Sequence, residues 1–96
     1  LALDAAVNAG PIWFATPPDE RAAILERAAQ YMEDGMQQLI GILVREAGKT
    51  YNNAIAEVRE AVDFLRYYAG MVRDDFDNET HRPLGPVVCI SPWNFP

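Results

Sequence analysis

Residues 50–76, TYNNAIAEVREAVDFLRYYAGMVRDDF, decide the architecture. Within them Ala54, Val58, Ala61, Leu65, Tyr68, Val72 and Phe76 recur every three or four positions, which places them on one face of an α-helix of roughly six turns. Thr50 stands where a helix needs an N-cap, a side-chain oxygen able to accept from a free backbone N–H of the first turn. A second stripe, Glu57, Glu60, Phe64, Tyr67 and Met71, lies beside the first and mixes carboxylates with aromatics. The helix is expected to fray within Asp74–Asn78, because Asp and Asn compete for the backbone and carboxylates are repelled by the negative end of the helix dipole.

Towards the amino terminus the same period appears twice more. Ala22, Leu25, Ala29 and Met32 predict a helix from Pro18 to about Glu33, with Thr16 as its cap and Pro17 in its first turn. After a break at Asp34-Gly35, Met36, Leu39, Ile40, Leu43 and Ala47 predict a second helix ending at Gly48, a residue suited to a left-handed cap. Leu1–Asn8 reads as the tail of another helix, stopped by Gly10-Pro11 and followed by the apolar knot Ile12-Trp13-Phe14.

Towards the carboxyl terminus the character changes. Pro83 and Pro86 disfavour helix, and Val87-Val88-Cys89-Ile90 is a continuous apolar run of the kind buried on both faces in a parallel sheet. No second run of this type exists to satisfy its backbone groups. The expectation is a mainly α chain, three amphipathic helices plus a C-terminal strand, whose sheet lies elsewhere. With no initial Met and an end at Asn94-Phe95-Pro96, both termini read as cuts, so the chain is expected to be a fragment. An unpaired strand over 87–90 also predicts self-association.

Composition narrows the possible roles. Half of the 96 residues are hydrophobic and 23% charged, as in ordinary globular chains. A net charge of −6 and eight scattered basic residues argue against nucleic acid as a partner. The single Cys89 forms no internal disulfide and no spacing suggests a metal site, which favours a reducing cytoplasmic setting. No apolar run approaches the ~20 residues of a membrane span.

The segment Pro83-Leu84-Gly85-Pro86-Val87-Val88-Cys89-Ile90-Ser91-Pro92-Trp93-Asn94-Phe95-Pro96 resembles the motif that opens the NAD-binding domain of the aldehyde dehydrogenase superfamily, and its Pro-Trp-Asn-Phe-Pro ending is highly specific. Arg45-Glu46-Ala47-Gly48-Lys49-Thr50, Glu57-Val58 and Tyr67-Tyr68-Ala69-Gly70 stand in the order that this superfamily shows, so the resemblance covers nearly the whole chain. Pro11-Ile12-Trp13 and Asp74-Asp75-Phe76 look most like the dehydrogenase half of bacterial bifunctional proline-utilisation proteins. The resemblance implies a parent domain of Rossmann-like α/β fold, with 1–79 as its N-terminal helical part and 80–96 as the first strand and loop of its NAD-binding domain. It further implies NAD-dependent oxidation of glutamate γ-semialdehyde, the open form of 1-pyrroline-5-carboxylate, to glutamate in proline catabolism, with FAD in a separate proline dehydrogenase domain. An aldehyde dehydrogenase of other specificity and a non-catalytic helical module are the alternatives.

In that family a cysteine thiolate attacks the aldehyde, hydride passes to NAD, and a glutamate activates water to release the acid. The resemblance assigns Asn94 the stabilisation of the oxyanion, against the plainer reading of a turn residue bonded to its own backbone. It places Ile90, Ser91, Pro92 and Trp93 beside the NAD ribose; for Trp93 simple packing is the plainer reading. Glu60 is a substrate-side candidate, since in the family the long helix lines the aldehyde tunnel; a solvated carboxylate is the plainer account. Cys89 reads as an inert, buried small hydrophobe rather than a nucleophile. His81 reads as exposed or capping, and Glu46 and Lys49 as local structure beside Gly48. The family's catalytic Cys, its Glu and its glycine-rich cofactor turn are not among these residues, so the chain alone is expected to be inactive.

Overall fold

Four helices form in chain order, α1 Ala2–Ala15, α2 Pro18–Asp34, α3 Met36–Ala47 and α4 Tyr51–Asp75, in a computed structural model that describes residues 1–96. The local signals explain most of the boundaries. The Thr50 hydroxyl accepts from the Asn53 N–H at 3.3 Å and starts α4. Gly48 ends α3 at φ 65°, in the left-handed region. A Cβ at Gly48 would meet nothing within 4 Å. Any cost of Gly48→Ala is therefore backbone strain alone, and we expect about 1–2 kcal/mol of lost stability in urea unfolding.

Two boundaries differ from the sequence expectation. The first helix runs on through Gly10-Pro11 to Ala15. Pro11 withholds only one donor, while Ala5, Ala6 and Ala9 before it are good helix formers. Thr16 then closes this helix instead of opening the next, its hydroxyl donating back to the Ile12 carbonyl at 2.9 Å. Pro17 takes the N-cap position of α2 and Pro18 its first turn.

Helices α2 and α3 both pack on α4, and α1 stands apart with no buried residue. The buried residues are Ala22, Ala29, Ala54, Val58, Val62 and Ala69. Small side chains at these places let the backbones of α2 and α4 approach closely. Met32, Met36, Leu39, Ile40, Leu43 and Leu65 fill in around Ala29, Val58 and Val62 while staying partly exposed. The inward face of α4 is thus rotated from the expected stripe: Val62 and Ala69 are buried, whereas Tyr68 and Phe76 remain 51% and 41% exposed. The radius of gyration, 15.9 Å, exceeds the ~12.5 Å of a compact chain of this length. The bundle is therefore open, with much apolar surface facing solvent.

The expected C-terminal strand does not form. Residues 81–92 have no regular secondary structure, and Val87, Val88 and Ile90 are 71–89% exposed. Nothing within the 96 residues pairs with them, and a lone strand leaves its backbone groups to water. Cys89 is accordingly exposed, not enclosed as its apolar neighbours suggested.

Polar contacts tie the elements together outside this small core. The Asn78 amide donates to the carbonyls of Phe14 and Thr16 at 3.0 and 3.2 Å, and its oxygen accepts from Arg21 at 2.7 Å, so a turn after α4 anchors the end of α1. On the solvent side Arg66 donates twice to Glu33 (2.8 and 2.6 Å) and Arg73 twice to Glu26 (2.5 and 3.1 Å), bridging α4 to α2. These hydrogen bonds, opposed by slight desolvation and aided by the guanidinium charge, hold both carboxyls below the usual value of 4.5. A carboxyl with a lowered folded pKa contributes stability that is present above its unfolded pKa and lost as pH falls through the folded value. Glu33→Gln should therefore lower the thermal midpoint at neutral pH. The gap from wild type should close as the solution is acidified below 4.5, which a pH series of thermal unfolding curves checks.

Candidate active-site segment

The candidate residues lie on a tail that leaves α4, turns at Asp77–Thr80 and returns along the bundle. At Asp77–Thr80 the Thr80 and His81 N–H groups donate to the Asp77 carbonyl at 3.1 and 2.7 Å. His81 is exposed, stacked on Phe76 at 4.7 Å with its Nδ1 2.9 Å from the Thr80 hydroxyl. It has a local role, as its setting suggested.

Pro92–Phe95 forms a tight turn in which the Phe95 N–H donates to the Pro92 carbonyl at 3.2 Å. Trp93 and Asn94 are its two central residues. Pro and Asn are both common in turns, and the backbone bond explains why the chain bends here. Asn94 is exposed, and its amide takes no part in the chain's side-chain hydrogen bonds, which at this end stop at His81. The amide can therefore donate to an oxygen brought alongside it. Ile90, Ser91 and Pro92 lead into the turn and are exposed, and the backbone polar groups of Ile90 and Ser91 have no partner in the chain.

The turn rests on the bundle by its flanks. Trp93 and Pro96 form one wall of an apolar groove of about 370 Å³ whose floor includes Met32, Leu43, Ala47 and Val58. Trp93 is nevertheless 85% exposed, so packing alone does not account for it. Lys49 places its ammonium 4.3 Å from the centre of the Phe95 ring. The same ammonium is 3.9 Å from a Glu57 oxygen, in a pair whose side chains are only 17% and 19% exposed.

The structure therefore brings Glu57, not Glu60, to the turn. Glu57 and Ala61 line the groove below Trp93. Glu60 is exposed on the outer side of α4 and enters none of the chain's ion pairs. Its neighbours form an aromatic cluster: Phe64 stacks on Tyr68 at 6.1 Å, and Tyr67 meets Tyr68 edge-on at 5.3 Å. All three rings are at least half exposed. Lys49, assigned by sequence to local structure, is the residue that the reading missed. Its only sequence signal is its place just after Gly48, where α3 turns towards α4.

No group of acidic, His or Cys side chains is arranged to hold a metal ion, and no helix is long and apolar enough to cross a membrane.

Comparison with known proteins gives consistent matches. The model of the aldehyde dehydrogenase family matches residues 1–96. The bifunctional protein PutA of Salmonella typhimurium is 84% identical over 95 residues, which cover 99% of this chain and 7% of that protein. A 1-pyrroline-5-carboxylate dehydrogenase of Bacillus subtilis is 39% identical over 106 residues, covering 98% of the chain and 21% of the relative. A fluoroacetaldehyde dehydrogenase of Streptantibioticus cattleyicolor is 43% identical over 108 residues, covering 100% and 21%. The chain thus spans between 7% and 21% of the length of these relatives.

Proposed function

This chain belongs to the aldehyde dehydrogenase family, and we propose that it serves an enzyme that oxidises glutamate γ-semialdehyde, derived from 1-pyrroline-5-carboxylate, to glutamate in proline catabolism. The observation that carries this reading is the 84% identity to PutA across nearly the whole chain. The 1-pyrroline-5-carboxylate named for the Bacillus subtilis relative supplies the substrate class. The word "bifunctional" in the PutA name agrees with a separate proline dehydrogenase domain, for which FAD is the cofactor we propose.

In this account residues 1–79 are the helical part of the dehydrogenase domain, and 80–96 open its NAD-binding part. Ile90, Ser91, Pro92 and Trp93 would hold the ribose side of NAD; their exposure fits that use. NAD, when bound, supplies the hydride acceptor. Asn94 donates its amide N–H to the oxygen that becomes anionic when a thiolate adds to the aldehyde carbonyl. A donor already fixed in place stabilises that charge without reorganising at the moment of reaction. Glu60 remains a substrate-side candidate, as an exposed carboxylate beside an aromatic cluster. The enzyme works in the cytoplasm. The family's catalytic Cys and Glu are not among these 96 residues, so on this reading they catalyse nothing by themselves.

The test is NADH formation from NAD and glutamate semialdehyde, run on the enzyme that carries this segment and on the 96-residue chain. Turnover by the first and none by the second is expected. Absence of NADH with the whole enzyme would sink the reading.

A further inference from the structure

Glu57 sits oddly for a surface helix. Both of its carboxylate oxygens are shielded from solvent, and neither has a hydrogen-bond partner in the chain. A carboxylate removed from water is unfavourable unless a cation compensates it, and Lys49, 3.9 Å away, is the cation beside it. Gly48 at φ 65° sets the course of the chain just before Lys49, where it passes from the end of α3 to the start of α4. The ammonium thus pairs with Glu57 and also lies 4.3 Å from the centre of the Phe95 ring. A cation over an aromatic face is attracted by the ring's negative centre, the more so where water is partly excluded. Phe95 closes the turn that carries Asn94.

We propose that Lys49, held by Glu57, is a positioning residue that clamps the Pro92–Phe95 turn through the Phe95 ring and so fixes the direction of the Asn94 amide. Lys49 touches no reacting atom; it acts through the turn. The proposal rests on the oxyanion reading of Asn94 for its catalytic consequence, and on the Lys49–Phe95 contact for the clamp itself.

The two parts are tested separately. Lys49 is the chain's single lysine, so lysine-selective carbon-13 labelling gives one ε-methylene resonance in NMR. Ring current from Phe95 should displace it upfield, and both Phe95→Leu and Glu57→Gln should return it towards the free-lysine position. Phe95 is 62% exposed, so its replacement leaves the bundle intact. A wild-type resonance at the free-lysine position, or one that Phe95→Leu does not move, overturns the clamp.

In the whole enzyme Lys49→Met should lower kcat roughly 10- to 100-fold, as expected when a reacting group is misplaced by about an ångström, with KM little changed. Lys49→Arg should recover most of the rate, because a guanidinium also binds an aromatic face. In an Asn94→Ala background Lys49→Met should cost nothing more; an equal further loss would show that Lys49 acts otherwise and overturn the positioning role. An unchanged kcat in Asn94→Ala alone would remove the oxyanion reading while leaving the NMR result to decide the clamp.

Discussion

Replacing Asn94 with alanine in the enzyme that carries this segment is expected to lower kcat by ~100- to 1,000-fold, the usual effect of removing one preorganised oxyanion donor. The expectation follows from what the turn does with this side chain. Asn94 is a central residue of a turn closed by backbone, through the Phe95 N–H and the Pro92 carbonyl. The turn does not need the amide, so the amide is free to donate outward. Substitution by alanine should then leave the bend intact and remove only the donor. An aspartate at the same place would keep the size but present a charge of the wrong sign to the developing oxyanion, and should be at least as damaging. Steady-state rates for the three proteins check this, with NAD binding measured alongside to show that the segment still takes its cofactor. A fall confined to KM would mean that Asn94 binds substrate and does no more.

The second large effect is on folding. Ala29 is fully buried where α2 meets α4, against Val58 and Val62. Ala29→Asp would place an unpaired carboxylate there, in a gap sized for a methyl group. An uncompensated buried charge costs about 3–5 kcal/mol, comparable to the whole stability of a small domain, about 5 kcal/mol at the low end. The helical circular-dichroism signal of the chain should be largely lost at 25 °C. Gln37→Asp, at an exposed position in the first turn of α3, introduces the same charge and should change little. Full helicity in Ala29→Asp would contradict the packing of α2 on α4.

These two positions mark what the sequence could and could not reveal. Gly48, Thr50 and the breaks around Gly35 were legible because each acts through its own backbone within a turn of the chain. The inward face of α4 was legible only in part. Val62 and Ala69, beside the expected stripe, are apolar as well, and the period does not choose between them and Tyr68 or Phe76. The choice was made by residue size: Ala54 and Ala69 on α4 and Ala22 and Ala29 on α2 allow a close approach that Tyr68 and Phe76 would prevent. The run Val87–Ile90 carries the composition of a strand, yet strand formation depends on a neighbour and none exists in these residues. A turn at Asn94 was the plainer reading of that residue, but it is closed by the Phe95 N–H and the Pro92 carbonyl and not by the Asn94 side chain. The Glu57–Lys49–Phe95 contact was not legible, because it joins residues 38 and 46 positions from Phe95 that no local pattern connects.

The central claim is that this family member acts on the semialdehyde of an amino acid. Similarity alone leaves a rival, since the fluoroacetaldehyde dehydrogenase is 43% identical and the Bacillus 1-pyrroline-5-carboxylate dehydrogenase 39%. The decisive measurement is kcat/KM of the whole enzyme for glutamate semialdehyde against small aliphatic aldehydes, followed by NADH formation. A preference for the semialdehyde of ~100-fold or more, the discrimination that a site built for a charged substrate readily supplies, is the predicted result. Equal use of both, or a preference for the small aldehydes, would contradict the account.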